Sequence, residues 1–126
     1  MVNQLLDTEG INMKIINTKN NAVLSDKAKI ANTFLGRLVG LLNRSCLVKG
    51  EALILKPSWS IHTLFMRFSI DVIFVDKEDK VIAVHYSLKP FRLTPLYPNS
   101  SLTIELPENT LESTQTHTGD ILKITP

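Results

Sequence analysis

A chain of 126 residues with 44% hydrophobic and 21% charged side chains makes one domain that buries about two thirds of its unfolded surface, and this composition excludes intrinsic disorder. No apolar run is long enough to span a bilayer, and fourteen basic against twelve acidic residues, scattered rather than gathered in a stripe, give a formal charge of +2 that argues against a nucleic-acid partner. The single Cys46 can form neither an internal disulfide nor a metal knuckle, so a reducing cytoplasm is the expected compartment.

The opening stretch MVNQLLDTEGIN carries acids and lacks the basic start and apolar core of a secretory signal. Met13 opens MKIIN, which reads both as a natural start and as a strand. Residues 1–12 are therefore expected to be a poorly ordered extension and residues 13–126 a single folded domain. A strand over 13–17, a turn at 18–21 and a return strand over 22–24 form a hairpin. Residues 27–31 alternate, with Ala28 and Ile30 on one side. Asn32 or Thr33 then caps a helix whose stripe is Phe34, Leu35, Leu38, Leu41 and Leu42, ending near Asn43. Gly36 and Gly40 in that stretch suggest close backbone packing or an early end.

Strands follow at 52–55, 61–64, 70–76, 81–87, 102–106 and 121–125. The run over 70–76 is apolar on both faces and belongs inside a sheet. The charged residues 76–80 connect it to 81–87 as a meander hairpin. Pro90, Pro95 and Pro98 forbid regular pairing over 88–99 and mark a long loop, and residues 107–118 read as polar and irregular. Many short strands with one helix predict a mainly β protein, an antiparallel β-sandwich or barrel.

The most informative stretch is residues 61–76, IHTLFMRFSIDVIFVD, which sets Arg67 and Asp71 among large apolar side chains. Asp71 shares a strand face with Ile73 and Val75. A carboxylate buried there needs two or more donors or a cation, because an unmet buried charge costs several kcal/mol.

The chain resembles the domain of unknown function 192 family, small bacterial and archaeal proteins. The resemblance is carried by Ala31-Asn32-Thr33-Phe34 through Arg37 to Gly40-Leu41-Leu42; by His62-Thr63, Phe65-Met66-Arg67-Phe68 and Ile70-Asp71; by Pro90-Phe91-Arg92; and by Ile104-Glu105-Leu106-Pro107 leading to Gly119-Asp120. It implies a jelly-roll-like β-sandwich with one short helix, and no established biochemical activity. Where the family usually has glycine after the Leu-Pro step, this chain has Asn109, the next-best residue for a positive φ, so the turn is expected to persist. Many relatives carry a leader segment that this chain does not show.

By motif, Arg67 and Arg92 are the expected partners of Asp71, with Arg37 as a further one. That pairing serves either to fix the loop around Pro90 or to anchor an anionic ligand. His62, beside Trp59, reads first as a packing histidine; no HxH, HExxH or paired acidic spacing surrounds it, so no metal and no cofactor is expected. Glu105 is either exposed or lines a pocket with His62, and Asp120 closes a turn. No Gly-x-Ser-x-Gly elbow or phosphate loop is present, and Cys46, which would need a histidine to act as a catalytic thiol, lies outside the shared motifs.

Three readings follow. The first is a small-ligand module, for an anion or another compound, with a cleft framed by Trp59, His62, Met66, Arg67, Asp71, Arg92 and Glu105. The second is an accessory interaction domain that uses the 90–98 loop, with Phe91, Leu93, Leu96 and Tyr97 as the contact patch for another protein or a second copy. The third is an enzyme using His62 with Asp71 or Glu105. Oligomeric state cannot be read from the chain.

Overall fold

Short runs of alternating and doubly apolar residues dominate the chain, and they assemble into one continuous sheet. The computed structural model describes residues 11–31, 46–64 and 66–126. Its strands are β1 (Met13–Asn17), β2 (Ala22–Ala31), β3 (Glu51–Leu55), β4 (Ile70–Val75), β5 (Val81–Leu88), β6 (Leu102–Pro107) and β7 (Leu122–Thr125), with a single-turn helix α1 (Thr110–Ser113) between β6 and β7. The order across the sheet is β5-β4-β6-β3-β2-β1-β7.

The protein is mainly β with one short described helix, as expected, but the sheet is mixed rather than wholly antiparallel. β2 and β3 run parallel, with Ala28 opposite Ala52 and Ile30 opposite Ile54, while the other pairs are antiparallel. Parallel neighbours need a crossover, here residues 32–50, where antiparallel ones need only a hairpin. The sheet also curls. Val81 N–H donates to Asp120 O at 2.8 Å, Gly119 N–H to Val81 O at 2.8 Å and Leu122 N–H to Asp79 O at 2.9 Å, so edge strands β5 and β7 meet at one end. The result is a curled half-barrel, which replaces the expected jelly-roll sandwich of two antiparallel sheets.

Period-two alternation divides the apolar residues between two cores. One contains Ile15, Leu24, Ala28, Ile54, Ile73, Val75, Val81, Ile104, Leu106 and Leu122; the other, on the opposite face, contains Leu53, Leu55, Ile70, Val72, Phe74 and Ala83. β4 lies between β5 and β6 and is buried along its whole length, as its doubly apolar sequence implied. Leu111 of α1 packs into the first core, and Leu47, Ile61 and Met66 cover the second.

Several local expectations change. Segments 22–24 and 27–31 are one ten-residue strand, continuous through an irregularity where Ile15 pairs with Ser25 and Met13 with Ala28. Gly50 anchors that irregularity. Its carbonyl accepts the Ser25 hydroxyl and the Asp26 and Lys27 amides, its φ is +93°, and an added Cβ would lie 3.0 Å from Asp26 Oδ1. The expected strand over 61–64 reduces to an isolated bridge between His62 and Leu93, because that segment pairs with a loop and not with the sheet. The helix expected over 34–43, with Arg37, lies outside the described residues, as does most of the 1–12 extension. The described helix instead falls in the stretch read as irregular. It follows Asn109, whose φ of 72° keeps the turn that glycine would otherwise supply.

Candidate functional site

Asp71 is buried on β4 with its side chain on the face of Ile73 and Val75, as the alternation required. Among the described residues its partners are not arginines. Oδ1 accepts the Ser87 amide at 2.9 Å and Oδ2 accepts the Leu111 amide at 2.9 Å, so one carboxyl joins β4, the end of β5 and the first turn of α1. Arg67 and Arg92 are both exposed, and among the described residues the Arg92 guanidinium meets only the carbonyls of Pro90 and Phe91. The expected Arg–Asp pair is therefore corrected. Two backbone amides supply the donors, and since every non-proline residue carries such an amide, side-chain identity gave no sign of them.

The second group of candidates gathers on a ribbon of loop outside the sheet. Residues 59–63 run antiparallel to 92–97: Tyr97 N–H donates to Trp59 O at 2.8 Å, Thr94 N–H to Ile61 O at 3.0 Å and Thr63 N–H to Arg92 O at 2.8 Å. Thr63, fully buried, is the knot. Its hydroxyl donates to Lys89 O at 2.6 Å and its Oγ accepts the Arg92 amide at 2.9 Å. Sequence reasoning passed over Thr63 because a threonine in a β-rich run reads as ordinary strand composition. Trp59 and His62 are exposed on this ribbon, whereas Met66 turns inward and is buried against the second core.

Glu105 lies on the other face of the sheet from Asp71. Register puts Lys29, Leu53, Glu105, Val72 and His85 in one row across β2, β3, β6, β4 and β5. Paired residues share a face, so Glu105 stands directly between Leu53 and Val72. It is only 5% exposed, and among the described residues no hydrogen bond or ion pair reaches its carboxyl. Loss of hydration without a compensating donor pushes that carboxyl up to about 7 from its ordinary 4.5. Further along the row, His85 Nε2 and the Tyr97 hydroxyl are 2.9 Å apart, both rings pack on Phe74, and burial lowers the histidine.

His62 pairs with neither carboxyl. Its Nδ1 faces the Leu64 amide at 3.3 Å, the Asp71 oxygens are taken by Ser87 and Leu111, and Glu105 has no described partner. The arrangement thus offers no base–carboxylate pair of the kind the enzymatic reading needs. Among the described residues, no group of three His, Cys, Asp or Glu side chains comes together, and no helix is long and apolar enough to cross a membrane. Cys46 is exposed and unbonded. Asp120 does more than close a turn: it accepts from the His117 amide at 2.8 Å and the Asn17 amide group at 2.9 Å and pairs with Lys19 at 3.1 Å. Partial desolvation raises its carboxyl, but these donors outweigh it and hold the group below the usual range.

A UPF0127 protein of Pyrococcus horikoshii is 35% identical over 112 residues, covering 86% of this chain and 96% of that one. A UPF0127 protein of Thermococcus kodakarensis is 32% identical over 120 residues, covering 89% and 73%. The crystal structure of a protein of unknown function from Novosphingobium aromaticivorans superposes with a TM-score of 0.75 at 18% identity, covering 88% of this chain and 82% of that one, so the fold is shared. The model of the DUF192 family, described as uncharacterized, matches residues 15–124, and the chain belongs to that family.

Proposed function

We propose that the protein is a small-ligand binding module whose site lies on the Glu105 face of the sheet. The observation that carries this reading is a buried carboxyl with no described partner. Buried polar groups are nearly always hydrogen-bonded, and an orphan costs about 1 to 3 kcal/mol, so one retained in a sheet centre calls for a partner beyond the described residues, a place this reading assigns to a ligand. The ligand it suits presents a hydrogen-bond donor, neutral or cationic, on an apolar body matched to Leu53, Val72 and Met66. This differs from the anion expected through Arg67 and Arg92, because both arginines are exposed and neither approaches Asp71. A thermal-shift series of amines, amides, polyols and anions, run on wild type, Glu105→Gln and Arg67→Ala at pH 6 and pH 8, tests the reading. Stabilisation by a donor-bearing compound that Glu105→Gln loses supports it. Stabilisation by anions alone, lost in Arg67→Ala, restores the arginine site, and no shift by any compound removes the small-ligand reading.

A second reading, an accessory interaction domain working through the 90–98 loop, is supported by the exposure of Phe91, Leu93 and Leu96 on the ribbon.

A further inference from the structure

The ribbon that carries the second reading has a composition that narrows what it meets. Ile61, Thr63 and Thr94 point inward and are buried, while Leu93 is 75% exposed, Leu96 67% and Phe91 62%, with Trp59 and Leu64 also exposed. Side chains this exposed leave most of their apolar surface in water.

Charge is as one-sided as hydrophobicity. Residues 56–70 and 87–100 contain Lys56, Arg67, Lys89 and Arg92 and no aspartate or glutamate, although the whole chain is nearly balanced at +2. Arg67, Lys89 and Arg92 are exposed, and no ion pair neutralises them among the described residues. Thr63 fixes two of them, because its hydroxyl holds both the Lys89 carbonyl and the Arg92 amide beside the Phe91 turn. Apolar tips and cations without a described ion pair therefore lie on the ribbon, at Arg92, and in the segments that lead into and out of it, at Arg67 and Lys89.

We propose that this ribbon docks the protein peripherally on an anionic lipid surface. Leu93, Leu96, Phe91 and Trp59 enter the interface, and Arg67, Lys89 and Arg92 lie against the acidic headgroups. A protein partner would have to supply matched hollows for each exposed side chain, whereas a fluid interface accepts them without one. Tryptophan and aliphatic side chains flanked by lysine and arginine are also the composition of interfacial segments. The inference rests on the loop being a working surface, as in the second reading above.

Sedimentation with phosphatidylcholine vesicles, with and without phosphatidylglycerol and at low and high salt, tests it. The expected result is binding only where the anionic lipid is present, weakened by salt. Arg67→Gln, Lys89→Gln and Arg92→Gln should each weaken binding about fivefold. Leu93→Ser and Leu96→Ser together should weaken it more than about tenfold. Val23→Ser, at an exposed apolar site on the β1–β2 hairpin, should leave binding unchanged. Because all the substituted side chains are exposed, unchanged melting temperatures verify that the variants are folded. Absence of binding to either vesicle, or equal binding to both at any salt, overturns the proposal. Self-association by light scattering that Leu93→Ser and Leu96→Ser abolish, in a protein that ignores vesicles, also overturns it while leaving the loop as a protein-contact surface.

Discussion

Two carboxyls stand on adjacent strands of one sheet at nearly equal burial, Asp71 on β4 at 1% exposed and Glu105 on β6 at 5%, yet they face opposite cores and have opposite surroundings. On the Asp71 side the irregular end of β5, where Ser87 has a φ of 48°, and the start of α1 both turn an amide toward the oxygens. On the Glu105 side the nearest positions across the sheet are Leu53 and Val72, and β-sheet neighbours spend their amides on the ladder. Burial therefore does not by itself decide what a carboxyl does. Asp71 is part of the scaffold because the bulged end of β5 and the start of α1 lie beside it, and Glu105 has no described partner because its cross-strand neighbours Leu53 and Val72 belong to regular strand.

The sharpest way to break this contrast is pH. Below pH 4.5 Glu105 carries its proton in the folded and unfolded chain alike. Between 4.5 and about 7 the folded chain keeps a proton that the unfolded chain has released, so its contribution to stability declines through that window and is lost above about 7. The full difference amounts to roughly 3 kcal/mol. Urea denaturation should accordingly show Glu105→Gln more stable than wild type by up to about 3 kcal/mol at pH 8 and within about 1 kcal/mol of it at pH 4. A parallel pH dependence in the two proteins would mean that the carboxyl is solvated or partnered.

Asp71→Asn should behave in the opposite sense. An amide group can accept from one of the two amides only, which leaves Ser87 or Leu111 N–H facing a donor, and a loss of about 1 to 3 kcal/mol is expected at neutral pH. Hydrogen exchange localises the effect: the Leu111 amide should lose protection before the β4 amides do. At Asn109, where α1 begins with φ at 72°, alanine should cost about 1 kcal/mol and glycine less than about 0.5 kcal/mol, read from chemical denaturation. The smallest effect belongs to the Lys19–Asp120 pair, whose lysine is half-exposed, where Lys19→Met should change stability by less than about 1 kcal/mol and less still at high salt.

Element by element, the local pattern located β1, β3, β4, β5, β6 and β7 to within about two residues, because period-two alternation is a property of the strand itself. It also placed Asp71 on the Ile73 face and marked Asn109 as the site of a left-handed turn. It did not foresee the parallel pairing of β2 with β3, the union of two segments into β2, or a helix as short as α1, each of which depends on what lies alongside in space. For the candidate site, residue type singled out Glu105 and Asp71, but the arginine partners were proposed by motif and opposite charge, and the described partners of Asp71 are uncharged backbone amides.

What the chain determines unaided is which residues form strands and which face each side chain takes, since backbone geometry converts spacing into direction without reference to neighbours. Which backbone amides reach Asp71, why no described one reaches Glu105, and how His62 and Leu93, 31 positions apart, come to lie on one ribbon were settled only by tertiary structure. Hydrogen bonding to main-chain groups depends on where the chain passes, and every non-proline residue carries the same donor.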